Sequence, residues 1–244
     1  MRIRATVAYD GTAYHGFQRQ SAEREPTIQG ELERALSRIV APSTTVLGAG
    51  RTDAGVHASG QVVAFDAEWR HALPDLQRAL NAVLPDDVVV LDIAQAADGF
   101  HPRYQARSRE YRYTIYNAAW RDPLCRLYAL HVAEPIDIPA MREAARHLIG
   151  EHDFAAFGQA TSGDSTVRVM HRVEIGGDRP WITTDLEANG FLHRMVRSIV
   201  GSLIEVGRGK ISVDRFVEIL HSRERRQAET TAPPHGLCLT RVNY

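Results

Sequence analysis

The chain has 244 residues, 44% hydrophobic and 24% charged. This is the balance of a globular protein with a sizeable core, in one large or two smaller domains. Its formal net charge of −1, from 29 Lys plus Arg against 30 Asp plus Glu, excludes a uniformly basic nucleic-acid binder, so any RNA surface must arise by local sorting of charge. Only two cysteines occur, Cys125 and Cys238, far apart and in no metal-ligand spacing. That argues against a disulfide framework, a zinc site and a zinc-dependent base deaminase. The first residues alternate like a strand rather than reading as a signal peptide, and no apolar run approaches membrane-spanning length, so a cytoplasmic location with no membrane association is expected.

In chain order, Ile3, Ala5, Val7 and Tyr9 alternate with Arg2, Arg4, Thr6 and Ala8, predicting a half-buried strand that ends in the turn Asp10-Gly11-Thr12. The following loop, Tyr14-His15-Gly16-Phe17-Gln18-Arg19-Gln20, mixes aromatic, amide and basic side chains, a mixture that suits distorted or single-stranded RNA as well as a plain surface loop. Thr27 is placed to cap a helix whose apolar face is Ile28, Leu32, Ala35, Leu36 and Ile39. A strand over residues 44–47 leads into a glycine-rich stretch, 48–61, and a strand over 62–65 leads out. Pro74 is expected to open a second helix with Leu76, Ala79, Leu80 and Val83 inward. The run 88–91, three valines and a leucine, is a strong strand signal. This order, β-α-β-β-α-β, is the split arrangement of ferredoxin-like domains.

The second half begins near residues 100–104. A strand over 108–116 places Tyr111, Tyr113 and Ile115 on one face. Pro139 opens a helix with Met141, Ala144, Ala145 and Leu148 inward, stopped by Gly150. An irregular loop with Gly158, Ser162 and Gly163 follows, then a hairpin pair over 167–175 and 181–186 with its turn at 177–180. A long helix over about 191–206 has Met195, Val196, Ile199 and Leu203 as its apolar stripe. Arg194, Arg197 and Gly201 lie on the opposite flank. By periodicity that flank reads as a solvated charged face, except that a mid-helix glycine costs stability unless something approaches closely. Ser212 caps a shorter helix, and 237–242 forms a last strand. The expected class is therefore α+β: two ferredoxin-like halves, 1–104 and 105–244, joined into one mainly antiparallel sheet with a central cleft.

The stretch 48–61 carries the chemistry. Four glycines in fourteen residues make neither a helix nor a strand interior, and at their centre stand Arg51 and Asp53. A structural turn with a local Arg–Asp pair is one reading. A dinucleotide phosphate cradle is another, but it needs glycine at position 53 and a helix after it. The third is a catalytic carboxylate kept ionised by a nearby guanidinium and displayed by a rigid loop.

Gly50-Arg51-Thr52-Asp53-Ala54-Gly55-Val56-His57 resembles the signature of the TruA family of tRNA pseudouridine synthases. So do the Asp-Gly-Thr turn with the Gly-Phe-Gln-x-Gln segment after it, where Phe17 stands in place of the family's usual Trp. Tyr111-Arg112-Tyr113, Met195-Val196-Arg197-x-Ile199-Val200-Gly201 and Gly236-Leu237-Cys238-Leu239 match further motifs. The resemblance spans nearly the whole chain. It implies isomerisation of uridine to pseudouridine at positions 38, 39 and 40 of the tRNA anticodon arm, without cofactor or metal, by a homodimer. It makes Asp53 the nucleophile and Arg197 its ion-pair partner. It assigns Tyr111 to stacking on the target uracil, Arg51 to extruding the base or filling the gap it leaves, and Leu237 to lining the uridine pocket, while Tyr113 stays with sheet packing. The rival from another class is a non-catalytic RNA-binding protein, since tandem βαββαβ units are also the architecture of RNA-recognition modules.

Overall fold

A computed structural model describes residues 1–20, 25–41, 43–160, 163–228 and 230–244. The chain divides into two compact units, Met1–Arg107 with Cys238–Tyr244, and Ser108–Leu237. The element order assigns the last residues to the second half, but 238–244 pack with the first unit.

In the first unit, strand β1 (Arg2–Tyr9) buries Ile3, Ala5, Val7 and Tyr9 and turns the intervening residues outward, as its alternation predicts. It pairs antiparallel with β3 (His57–Asp66) on one edge and with β4 (Val88–Gln95) on the other. On the second edge of β3, the last strand β10 (Leu237–Asn243) pairs in parallel at the beginning of β3, with Cys238 opposite His57. The two-residue strand β2 (Leu47–Gly48) pairs antiparallel at its end. Helix α1 (Ile28–Ile39) is capped by Thr27, whose side chain accepts from the Gly30 amide at 3.3 Å, and buries Ile28, Leu32, Ala35 and Leu36. Helix α2 (Leu73–Val83) buries Leu76 and Leu80, but Val83, expected inward, is exposed at the last turn. The strand expected over 44–47 shrinks to β2, and β3 begins at His57, five residues before the strand expected over 62–65. The true loop is therefore 49–56.

In the second unit, β5 (Ser108–Asn117), β9 (Trp181–Ala188), β8 (Val167–Asp178) and β7 (Gly150–Asp153) form an antiparallel set in that order, with β6 (Leu130–Val132) parallel to the end of β5. Helices α3 (Ile138–Arg146), α4 (Met195–Gly207) and α5 (Val213–Ser222) pack together, and α3 also covers β8. Asp137 and Ser212 cap α3 and α5 through their side chains. Sequence periodicity leaves β6 and β7 unread, because three or four residues are too few to show alternation. Gly150 does not stop α3, which ends at Arg146. It opens β7 instead, at φ +107°. Gly158 and Gly163 fall where a loop is expected, while Ser162 lies outside the described residues.

The long helix starts later than predicted. His193 is held extended by a bridge to Gln159, its amide donating to the Gln159 carbonyl at 2.9 Å. Arg194 then takes a left-handed conformation, φ +62°, as the N-cap. Arg194 is consequently not on a helical face with Arg197. Gly201 does answer to a close approach: a Cβ there would stand 2.3 Å from the Thr230 carbonyl oxygen. The flank of α4 that carries Arg197 and Gly201 is therefore covered by the 230–233 segment rather than solvated, which offsets the roughly 1 kcal/mol that glycine costs in a helix.

Candidate active site

In the first unit, Arg51 and Asp53 stand on the 49–56 loop, and nearly every turn of that loop is tied down. The β2–β3 ladder continues one step past β2, with the Ala49 amide donating to the Val62 carbonyl at 2.8 Å. The Gln61 carboxamide then holds Gly50, its Nε2 donating to the Gly50 carbonyl at 2.8 Å and its Oε1 accepting from the Gly50 amide at 3.2 Å. Thr52 is buried; its Oγ1 lies 2.8 Å from the Tyr9 hydroxyl, and its carbonyl accepts from the Phe17 amide at 3.1 Å. The Val56 amide donates to the Asp53 carbonyl at 3.1 Å, closing a tight turn in which Gly55 sits at φ +76°, a conformation glycine adopts without steric cost. The Gly55 amide in turn donates to the Tyr14 carbonyl.

The result is a loop in which Thr52 and Val56 are buried while Arg51 is exposed and Asp53 half-buried. A carboxylate presented this way is aimed without freedom of its own backbone, which is what a positioned nucleophile or base requires.

Phe17 is one of the anchors. It is 2% exposed, and its ring occupies the space where a Cβ at position 48 would stand. It packs under the loop as core, and of the 14–20 segment only His15, Arg19 and Gln20 are exposed. The mixed composition of that segment, which suits distorted RNA as well as a plain surface loop, thus separates into buried rings and exposed polar groups.

In the second unit, Tyr111 and Tyr113 face inward from β5, opposite Leu186 and Thr184 of β9. The Tyr111 ring meets Phe191 edge-on, 5.0 Å between centroids at 82°. Tyr113 has no exposure, donates its hydroxyl to the Pro233 carbonyl at 2.9 Å and lies against Gly236. Burial pushes its phenol above the ordinary tyrosine range, with the Arg197 charge pulling the other way. Arg197, half-buried on α4, donates through Nε to the Ala232 carbonyl at 2.7 Å, and its own carbonyl accepts from the Ala232 amide at 3.0 Å. Adjacent carbonyls, 232 and 233, thus tie Arg197 and Tyr113 to the segment that runs through the 3-10 turn 234–236 into the buried Leu237.

The sequence reading named Asp53, Arg51, Tyr111, Arg197 and Leu237 but passed over Gln61, Tyr9 and Thr52, which hold the loop. The signal for Gln61 was present: a single amide opening a run of apolar residues on a strand buried on both faces. Among the described residues no three His, Cys, Asp or Glu side chains come together as a metal-ligand group, and no helix is long and apolar enough to cross a membrane.

The chain is thus an α+β protein whose first unit displays a carboxylate on a pinned loop. The family model described as tRNA pseudouridine synthase matches residues 5–105 and 144–244. A tRNA pseudouridine synthase A of Moorella thermoacetica is 43% identical over 243 residues, covering 99% of both chains. One of Chloroflexus aurantiacus is 46% identical over 247 residues, covering 99% of this chain and 88% of its own. The crystal structure of an archaeal box H/ACA sRNP Nop10-Cbf5 complex contains a chain similar at TM-score 0.39 and 12% identity, over 96% of this chain and 59% of that one. The chain belongs to the tRNA pseudouridine synthase family.

Proposed function

We propose that this protein isomerises uridine to pseudouridine at positions 38, 39 and 40 of the tRNA anticodon arm, with Asp53 as nucleophile and Arg51, Tyr111, Arg197 and Leu237 binding the target nucleotide. The observation that carries this reading is the pinned Asp53 loop, within a chain whose relatives of the same length bear the name tRNA pseudouridine synthase A. The reaction breaks the bond from ribose C1′ to uracil N1 and makes one from C1′ to C5. C5 loses a proton and N1 gains one, so atoms and electrons balance within one nucleotide and no cofactor is drawn upon. Asp53 serves at ribose C1′, at uracil C6, or as the base of a glycal route. In each case the uridine must leave its stack to reach the carboxylate, and the exposed Arg51 is suited to occupy the gap. A chain with net charge −1 binds tRNA through local arginines, so affinity falls with salt.

The test is turnover on tRNA carrying tritium at uridine C5, since isomerisation releases that tritium to water. Release confined to positions 38–40 is expected. Tight tRNA binding with no release would return the chain to the RNA-binding class. Arg197 provides a finer check. Arg197→Met is expected to cut turnover more than tRNA affinity, and to lower the melting temperature through loss of the bond to Ala232. An effect confined to weaker binding with a shallower salt dependence would make Arg197 a phosphate contact instead.

The same reading makes the protein a cytoplasmic homodimer. Residues 119–128 of the second unit support the dimer, since Trp120 is 86% and Leu124 90% exposed, and Tyr128 is half exposed. Large apolar side chains so fully exposed within ten residues of chain are suited to a contact surface. Light scattering is expected to give a dimer for the native chain and a monomer of unchanged melting temperature for Leu124→Glu. A native monomer at micromolar concentration would remove this assignment.

A further inference from the structure

We propose that a buried network of Gln61, Tyr9 and Thr52 positions Asp53 for reaction, an inference that rests on reading Asp53 as the reacting carboxylate. Between β2 and β3 the register pairs Leu47 with Ala64 and Gly48 with Val63, and the Ala49 amide reaches the Val62 carbonyl. One step further, Gly50 falls opposite Gln61. There backbone pairing gives way to a side chain: the Gln61 carboxamide both donates to the Gly50 carbonyl, at 2.8 Å, and accepts from its amide, at 3.2 Å. A planar amide using both ends on one residue reproduces the double exchange of an antiparallel pair. The Gly50 peptide is oriented by it, although no strand continues.

Gln61 has no solvent exposure, so water does not replace these bonds when they are lost. The same Nε2 reaches the Tyr9 hydroxyl at 3.4 Å, and that hydroxyl meets Thr52 Oγ1 at 2.8 Å. Tyr9 and Thr52 are 4% and 7% exposed. The network therefore grips residues 50 and 52 from beneath. In extended chain, alternate side chains face opposite ways, so holding Thr52 inward turns its two neighbours the other way, and Arg51 is exposed and Asp53 half-buried. Residues 51–53 belong to no strand or helix, and these side-chain bonds take the place of a ladder. Gln61, Tyr9 and Thr52 are positioning residues; none of them is asked to touch the nucleotide.

The test uses Tyr9→Phe, Thr52→Val, Thr52→Ser and Gln61→Leu in the full chain. Four quantities are read: the single-turnover rate at saturating tRNA, the tRNA Kd, the melting temperature, and hydrogen exchange of the amides of residues 50–56. Misplacing a reacting group by about 1 Å can cost on the order of 10²-fold in rate. Tyr9→Phe and Thr52→Val are therefore expected to slow single turnover about 10- to 100-fold, with little change in Kd and faster exchange confined to 50–56. Thr52→Ser, which keeps the hydroxyl, is expected to restore both rate and protection. Wild-type rates in folded Tyr9→Phe and Thr52→Val would overturn the proposal, and so would a Thr52→Ser as slow as Thr52→Val. If Gln61→Leu does not fold, the other three variants decide. Failure of the Asp53 reading looks different: Asp53→Asn would stay active, while exchange over 50–56 would still report whether the network holds the loop. Unchanged exchange in every variant would reject the network whatever the activity.

Discussion

Asp53→Asn is expected to abolish isomerisation while leaving the protein folded and able to bind tRNA. Loss of a nucleophile that acts as part of a set costs on the order of 10⁴- to 10⁶-fold in turnover, and the near-isosteric amide removes the charge without removing volume. The folded state has little reason to respond. The turn at 53–56 is closed by the backbone carbonyl of Asp53, which Asn retains, and the loop is anchored by Gln61, Tyr9, Phe17 and Tyr14. Substitution at a half-exposed position of this kind typically moves stability by about 0.5 kcal/mol or less. Tritium release, tRNA affinity and melting temperature measured together separate the cases. Turnover near wild type in a folded Asp53→Asn would remove Asp53 from the chemistry. Lost turnover accompanied by lost protection over 50–56 would mean that the carboxylate was shaping the loop.

What could be read before the fold was known follows from how local each signal is. The alternation of β1 and the cap at Thr27 are stated within a few residues, and both appear as expected. The glycines around Asp53 mark a loop for the same reason. The start of α4 could not be placed, because it depends on a bridge between His193 and Gln159, thirty-odd positions apart in sequence. Periodicity by itself carried the helix back through residues that this bridge holds extended. The cover over Gly201 comes from Thr230, again a distant carbonyl; only the oddness of a mid-helix glycine announced that something was there. Residues 238–244 follow the second half in sequence, yet their pairing with β3 is long-range, and no local pattern encodes it. The same limit hid the supports of the site. Asp53 could be named from a motif, but the roles of Gln61, Tyr9 and Thr52 exist only once β1 and β3 lie side by side with the loop on top of them.

The second large effect is expected at Tyr111 and not at Tyr113, although both face inward from the same strand. Tyr113 is packed and committed: it has no exposure, its hydroxyl is held by Pro233, and its ring lies against Gly236. Tyr113→Ala should act as a core deletion, costing roughly 3–5 kcal/mol and lowering the melting temperature. Turnover should fall only as far as the folded fraction does. Tyr113→Phe should cost about 1 kcal/mol for the lost bond and leave turnover near normal. Tyr111 keeps 7% of its surface and meets Phe191 by a ring edge, an arrangement that orients the ring. Stacking of a base on an aromatic side chain is worth roughly 1–3 kcal/mol, so Tyr111→Ala should lower turnover by about 5- to 150-fold. Its effect on melting temperature should be smaller than that of Tyr113→Ala. Tyr111→Phe then sorts the role of the hydroxyl. A sharp fall in turnover at unchanged tRNA affinity makes the phenol a proton carrier, and near-normal turnover makes the ring a platform alone. Normal turnover in Tyr111→Ala beside lost turnover in a still-folded Tyr113→Ala would show that the two tyrosines carry each other's roles.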